Sequence, residues 1–337
     1  MATWFAFHKN EASNESQRYK EAIRKYDELV QTLPGDDVWW TRHLYKGFWL
    51  PSGGLIGHLL LEDHHFHSKP TDILVASSPK CGTTWVKALI FASLNRNIYD
   101  FVTHPLITTN PHTLVPFLEK CLYRNENTDS LPSPRLFGTH LPYTLLRDYV
   151  KDSGCKFVYV CRNPKDAFVS MWLFLNKVMS RYRPTEVSLQ DAFEMFTKGA
   201  SIFGPFWDHV LSYWNASLEA PYQVLFVMYE NLQREPVAQV KRLAEFLDTP
   251  FSMEEEKAGV IQDIVKLCSF DNLNNLEVNK VESNSDPSTT IKNHDFFRKG
   301  KVGDWKNYLT PEMAACLDQI TAEKLRGSGL SFIDQSV

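Results

Sequence analysis

Residues 16–33, "SQRYKEAIRKYDELVQTL", carry the first hydrophobic pattern that commits to an element. Apolar positions recur there at helical spacing among charges, which predicts an amphipathic helix ending before Pro34-Gly35. The next stretch, "VWWTRHLYKGFWLPSGG" (38–54), mixes aromatic and turn residues too densely for one regular element. It fits the wall of an apolar pocket or the packing of an N-terminal arm on a core. From residue 72 the pattern changes to short apolar runs: Ile73–Ala76, "RLFGTH" (135–140), Lys156–Cys161 and "QVLFVMYE" (223–230). Runs that short and that continuously apolar belong to strands buried on both faces of a sheet. Helical patterns cover 83–95, about 188–219 and about 235–247. Alternating strands and helices predict a mostly parallel sheet flanked by helices, with right-handed crossovers. The expected layout is an N-terminal arm and helix over 1–40 and one α/β domain over 41–337. The polar stretch 281–294, "VESNSDPSTTIKNH", is expected to be a mobile loop. There is no internal repeat.

Composition narrows the partners. With 36 basic and 40 acidic residues the net charge is −4. That gives no overall attraction to nucleic acid or an anionic membrane, so an anion site must be local. The opening "MATWFAFHKNEASNES" has neither the secretory nor the transit pattern. No run approaches the ~20 apolar residues of a membrane span. A cytoplasmic protein is expected, with Cys81, Cys121, Cys155, Cys161, Cys268 and Cys316 as reduced thiols. Asn14 and Asn215 match the glycosylation acceptor pattern, without consequence in that compartment.

Candidate chemistry begins at "LVASSPKCGTTWVKAL" (74–89): strand, tight loop, helix start. Backbone N–H groups at Gly82, Thr83 and Thr84 would open a helix toward an anion, with Lys80 as a point charge. It is not the ATP-type loop, because there is one glycine and the lysine precedes it. Read alone, it is equally a capped strand-to-helix turn. Arg162 ends the next strand, at the edge where open α/β sheets bind ligands. A kinase-like protein would carry a metal-holding acid on a second strand. A cation there argues for a second anionic group bound without metal. "FFRKGKVGDW" (296–305) adds Arg298, Lys299 and Gly300. His140, in "FGTHLPY" (137–143), is a candidate base for a hydroxyl proton. His58, Glu62 and His65 lack the spacing of a metal site and read as a solvated helix face.

Together these segments resemble the soluble sulfotransferases, the plant branch most closely. The resemblance rests on Pro79–Trp85, Thr139–Pro142, Tyr159–Ser170, "LCSFDNLNNLEVNK" (267–280) and Arg298–Trp305, in order from about residue 40 to the end. It implies 3′-phosphoadenosine 5′-phosphosulfate (PAPS) as co-substrate and adenosine 3′,5′-bisphosphate (PAP) as product, with no metal. By the same resemblance, Lys80, Cys81, Gly82, Thr83, Thr84 and Trp85 hold the phosphosulfate. Arg162, Ser170, Arg298, Lys299 and Gly300 hold the 3′-phosphate. Trp85 and Phe270 sandwich adenine beside Ser269. The implied mechanism is in-line transfer, with His140 as base, Lys80 stabilising the leaving oxygen and Ser170 restraining Lys80. The implied acceptor is a small, partly apolar hydroxylated molecule. A flavonoid or other phenol is favoured in a pocket including Phe48, Trp49, Tyr143 and aromatics near 172–174. Hydroxyjasmonate, brassinosteroid and desulfoglucosinolate are the alternatives. A P-loop small-molecule kinase and a non-catalytic nucleotide binder remain as rivals.

Four positions depart from the family pattern. Cys81 replaces the usual Ser or Thr, and its place beside Lys80 suggests a lowered thiol pKa and sensitivity to oxidation. Phe203 aligns with a tyrosine that commonly contacts adenine. Gly138 stands where many animal members have lysine. Pro311 and Ala315 break the animal dimer motif around Lys306 and Thr310, so no animal-type dimer is expected.

Overall fold

A computed structural model describes residues 17–150, 152–183, 185–280 and 291–332. Residues 1–16 of the expected arm and 281–290 of the expected loop lie outside the described residues. Helix α1 (Gln17–Val30) occupies the amphipathic stretch. The aromatic stretch resolves into part of an antiparallel sheet, β1 (Gly35–Asp36), β2 (Arg42–Tyr45) and β3 (Phe48–Pro51), followed by α2 (Ser52–Glu62). Both readings of that stretch hold: Phe48 and Leu50 join the core, while Trp40, Pro51, Gly53 and Gly54 line a cleft.

The central sheet comprises β4 (Ile73–Ala76), β5 (Leu136–Thr139), β6 (Lys156–Cys161) and β7 (Val224–Met228), in the order β5-β4-β6-β7 and parallel throughout. Because strand side chains alternate between faces, the continuous apolar runs feed two cores at once. Leu74, Ala76, Phe137, Phe157, Tyr159 and Phe226 enter one, and Ile73, Val75, Leu136, Val158, Val160 and Val227 enter the other. Each face is covered by helices, which is why no strand shows a polar alternation.

Chain order places β5 on one side of β4 and β6 on the other, so the strand order reverses at β4. Ligands bind outside the carboxyl ends of strands at such a switch point, and here that end is Ser77–Gly82. At the opposite edge, buried Asp72 accepts two hydrogen bonds from Arg135, at 2.8 and 2.6 Å. This bidentate pair clamps the starts of β4 and β5.

The expected helix over 188–219 is two helices, Leu189–Thr197 and Phe206–Glu219. Gly204-Pro205 intervenes, and proline at the second helix's threshold can neither donate to nor continue a preceding turn. His58 is buried within α2, with Nε2 3.3 Å from Glu62, so it is no part of a solvated face.

Candidate functional site

Ser77 follows β4 directly, and the parallel register (Ala76 opposite Thr139) puts His140 beside it. His140 Nδ1 lies 2.7 Å from the Ser77 carbonyl oxygen. A carbonyl only accepts, so Nδ1 carries the proton and Nε2 is left with its lone pair. The ring sits between Phe117 and Phe203, centroids 4.7 and 5.5 Å away, on the cleft wall. Its backbone N–H donates to Glu119 Oε1 at 2.9 Å, and its carbonyl accepts from His209 Nε2 at 3.0 Å. Burial pushes His140 down to about 3, so the imidazole is neutral.

The loop ahead of helix α3 (Thr83–Leu94) takes two left-handed residues, Lys80 (φ 68°) and Gly82 (φ 111°). Gly82 is required twice over: its φ disfavours a side chain, and a Cβ would lie 2.7 Å from the Tyr229 ring. No side chain caps α3, so its first-turn N–H groups are available to an anion. The Lys80 amine lies 4.0 Å over the Phe174 ring. Burial, then repulsion by Arg298 and Arg162, lowers Lys80 to about 7. An amine held that low is poised to recover a full charge when an anion arrives.

The second cationic group forms where β6 ends. Arg162 stacks 4.5 Å over Tyr229, donates to the Lys301 carbonyl at 2.7 Å, and has a buried Nε without a partner. Arg298 Nε is likewise buried and unpaired, while its Nη1 pairs with Asp304. Burying cationic donators without partners is costly, and an anion between these two would relieve it. Asp304 also accepts from Lys299 at 2.8 Å. Burial opposes its ionisation, but its bonds from Lys299, Arg298 and Asn307 hold it at about 2. Gly300, at φ 62°, packs so closely on Phe270 that a Cβ would meet that ring at 2.5 Å. Buried Asp166, on the helix Pro164–Met179, accepts from the N–H groups of Gly303 and Trp305, at 2.7 and 3.0 Å. It thereby ties the Arg298–Trp305 segment to the same helix that carries Ser170 into the cleft wall.

One cleft therefore gathers Lys80, Gly82, Thr83, Thr84, Trp85, His140, Arg162, Ser170, Phe203, Phe270, Arg298, Lys299 and Gly300. Its open space, solvent at its mouth included, is about 1610 Å³.

The expected site needs correction at several positions. Cys81 does not line the cleft: its thiol is wholly buried in the core, and burial pushes it up to about 12. The thiol is therefore neither acidic nor accessible to an oxidant, and only the backbone at 81 belongs to the loop. Phe203, expected at adenine, lies against His140 and Gly54 on the cleft wall. The tyrosine beside Trp85 is Tyr229, ring centroids 5.6 Å apart. Ser269 spends its hydroxyl capping the helix Phe270–Asn275, accepting from Asn272 N at 3.2 Å, and is absent from the cleft wall. Phe48, Trp49 and Tyr143 are also outside the cleft, whose aromatic lining includes Trp40, Phe117, Tyr123 and Phe203. Tyr143 instead packs on Phe157 and Tyr213. Sequence reasoning missed His112, Glu119, Tyr229 and Phe296. Tyr229 had a readable signal, since it follows β7 at the ligand-binding edge, as Arg162 follows β6.

An uncapped helix start at the switch point, two orphaned guanidinium donors and a neutral histidine at the neighbouring strand end make a cleft suited to an anionic ligand and to proton transfer, the equipment of a group transferase. A sulfotransferase-domain family profile matches residues 70–329. Cytosolic sulfotransferase 16 of Arabidopsis thaliana is 45% identical over 322 residues, covering 94% of this chain and 95% of that protein. Cytosolic sulfotransferase 5 of the same plant is 48% identical over 312 residues, covering 90% and 95%. A solved Arabidopsis thaliana sulphotransferase is 37% identical and superimposes with a TM-score of 0.73, covering 96% of this chain and 99% of that one. A mouse sulfotransferase complexed with PAP is 28% identical, with a TM-score of 0.65 over 85% of this chain and 95% of that one. The chain belongs to the cytosolic sulfotransferase family. It is an enzyme that transfers a sulfuryl group from PAPS to a small hydroxylated acceptor. Among the described residues no helix is long and apolar enough to cross a membrane.

Proposed function

We propose that this enzyme sulfates a flat phenolic hydroxyl, favouring flavonoid-like acceptors, by direct in-line transfer with His140 as the base. The observation that carries this reading is the 2.7 Å bond from His140 Nδ1–H to the Ser77 carbonyl, which leaves Nε2 as a proton acceptor between Phe117 and Phe203. Two rings beside the base suit a planar acceptor whose hydroxyl must meet Nε2 edge-on.

PAPS supplies the sulfuryl group. The N–H groups opening α3, with Lys80, hold its phosphosulfate, and Lys80 stabilises charge developing on the leaving oxygen. Arg162, Ser170 and the Arg298–Gly300 turn hold the 3′-phosphate, matched to the unpaired Nε atoms of the two arginines. Trp85 and Phe270 bracket adenine, with Tyr229 against Trp85. An imidazole pushed down to about 3 is a weak base on its own. Nearby anionic reactants raise its proton affinity, which restricts proton uptake to the loaded complex.

The test is mass-spectrometric detection of sulfated product from PAPS and a panel of flavonols, hydroxyjasmonate, brassinosteroids and desulfoglucosinolates. A flavonol product is expected, and preferential sulfation of a non-planar acceptor would overturn the acceptor assignment. In the His140→Ala variant kcat should fall by ~10²–10⁴ while PAP affinity is retained. A variant that keeps its turnover would remove His140 from the mechanism.

A further inference from the structure

The mechanism above leaves the wholly buried Lys87 amine unused. Lys87, in the second turn of α3, is 0% exposed. Its amine donates to the Val115 carbonyl at 2.7 Å, stands 3.2 Å from His112 Nδ1 and lies 3.5 Å over the Phe117 ring. The other nitrogen of His112, Nε2, is 2.8 Å from Thr84 Oγ1. Thus an unbroken chain of contacts runs from Lys87 through His112 to a hydroxyl at the start of α3, on the cleft wall. Strand β5 makes room for it: a Cβ on Gly138 would lie 2.3 Å from the Lys87 amine. A side chain needed only for packing at that spot would be served better by an apolar residue, because a buried amine is costly unless its bonds are used.

The chain also has a direction. Lysine N–H groups are donors, and a neutral imidazole has one donor and one acceptor. A protonated amine has no lone pair, so with Lys87 charged His112 Nδ1 accepts from it, Nε2–H donates to Thr84 Oγ1, and the threonine's own proton is left for a partner in the cleft. We propose that Lys87 is a positioning residue for sulfuryl transfer, fixing the His112 tautomer so that the Thr84 hydroxyl is presented as a donor to the anionic phosphosulfate. This rests on the reading that the start of α3 holds that group. Burial, reinforced by Lys87 and Lys120, keeps His112 well below its usual range and hence neutral. Burial lowers Lys87 strongly, while its bond to the Val115 carbonyl and its place over the Phe117 ring favour the charged, donor-only form.

The experiment is a double-mutant cycle on the full enzyme, using Lys87→Met, Thr84→Val and the pair, read as kcat/KM for PAPS. Each single change should cost about tenfold, the worth of one hydrogen bond to a charged group. If Lys87 acts through Thr84, the double variant is no worse than Thr84→Val alone. Losses that multiply to about a hundredfold would mean independent, merely structural effects and would overturn the proposal. Should Lys87→Met fail to fold, His112→Asn replaces it in the same cycle. A second reading uses ¹⁵N NMR of His112 in the wild-type enzyme without ligand. An Nε2–H tautomer is expected, and an Nδ1–H tautomer would overturn the direction of the chain. That measurement needs no turnover, so it separates failure of this proposal from failure of PAPS binding, which calorimetry with PAP tests directly.

Discussion

Lys80 has two properties that pull against each other: it occupies a left-handed backbone position, and burial and neighbouring cations lower its amine to about 7. Such strain, of order 1–3 kcal/mol, persists where the surroundings impose it. The lowered pKa has a measurable consequence. Near pH 8 the free enzyme holds Lys80 largely deprotonated, and an anion in the cleft raises it again, so PAP binding takes up a proton. The Lys80 contribution to affinity should be constant below about pH 7 and fall as pH rises above it. Calorimetry at pH 8 in buffers of different ionisation enthalpy measures that uptake, and Lys80→Met should abolish it. Equal uptake by the variant would assign the proton elsewhere. At this level the sequence was a mixed guide. It identified Lys80 and His140 by their places after strands, but Cys81 shows its limit: a thiol next to a lysine in sequence points into the core, where burial raises rather than lowers its pKa.

At the scale of elements, some contacts shape the proposed ligand site and others hold the fold. Asp166 belongs to the first group, since it bonds the N–H groups of Gly303 and Trp305 and thereby sets the Arg298–Gly300 turn against Arg162. Asp166→Ala should leave two backbone donors unpaired and weaken PAP binding by ~1–3 kcal/mol, with kcat at saturating PAPS near wild type. Titration calorimetry checks this, and unchanged PAP affinity would show that the turn is held by other contacts. Arg135 belongs to the second group. Its bidentate pair with Asp72 is 1% and 0% exposed and lies at the sheet edge away from the cleft. Arg135→Ala strands a buried carboxylate, so urea melts should show a loss of ~3–5 kcal/mol, while specific activity of the folded fraction is unchanged. Strand positions were legible because runs buried on both faces are continuously apolar. The break at Ser201–Pro205 was marked by Gly204-Pro205, yet the apolar pattern on either side masked it.

For the molecule as a whole, the end of the chain bears on assembly. Thr310 caps the helix Pro311–Lys324, accepting from Met313 N at 3.2 Å, and Pro311 opens its first turn. These residues are spent on starting a helix, and Ala315 offers no carboxylate to a partner's cation. Sedimentation velocity at micromolar concentration should therefore give the single-chain mass of 38.9 kDa, and a species of twice that mass would show an assembly route independent of the broken motif. The sequence by itself determined the parallel sheet, the strand–loop–helix start at 74–89 and the segments that supply the cations. Those depend on local pattern, on backbone N–H groups at a helix start and on which residues follow strands. Only the tertiary structure decided which side chains face the cleft. The β4–β5 register sets the His140 tautomer through a carbonyl 63 residues away in the chain. The packing of α3 against β5 brings Lys87 over Gly138, and the Gly54–Phe203 contact turns that phenylalanine toward His140. Contacts between residues so distant in sequence leave no periodicity or motif, because they arise only when separate elements share one core.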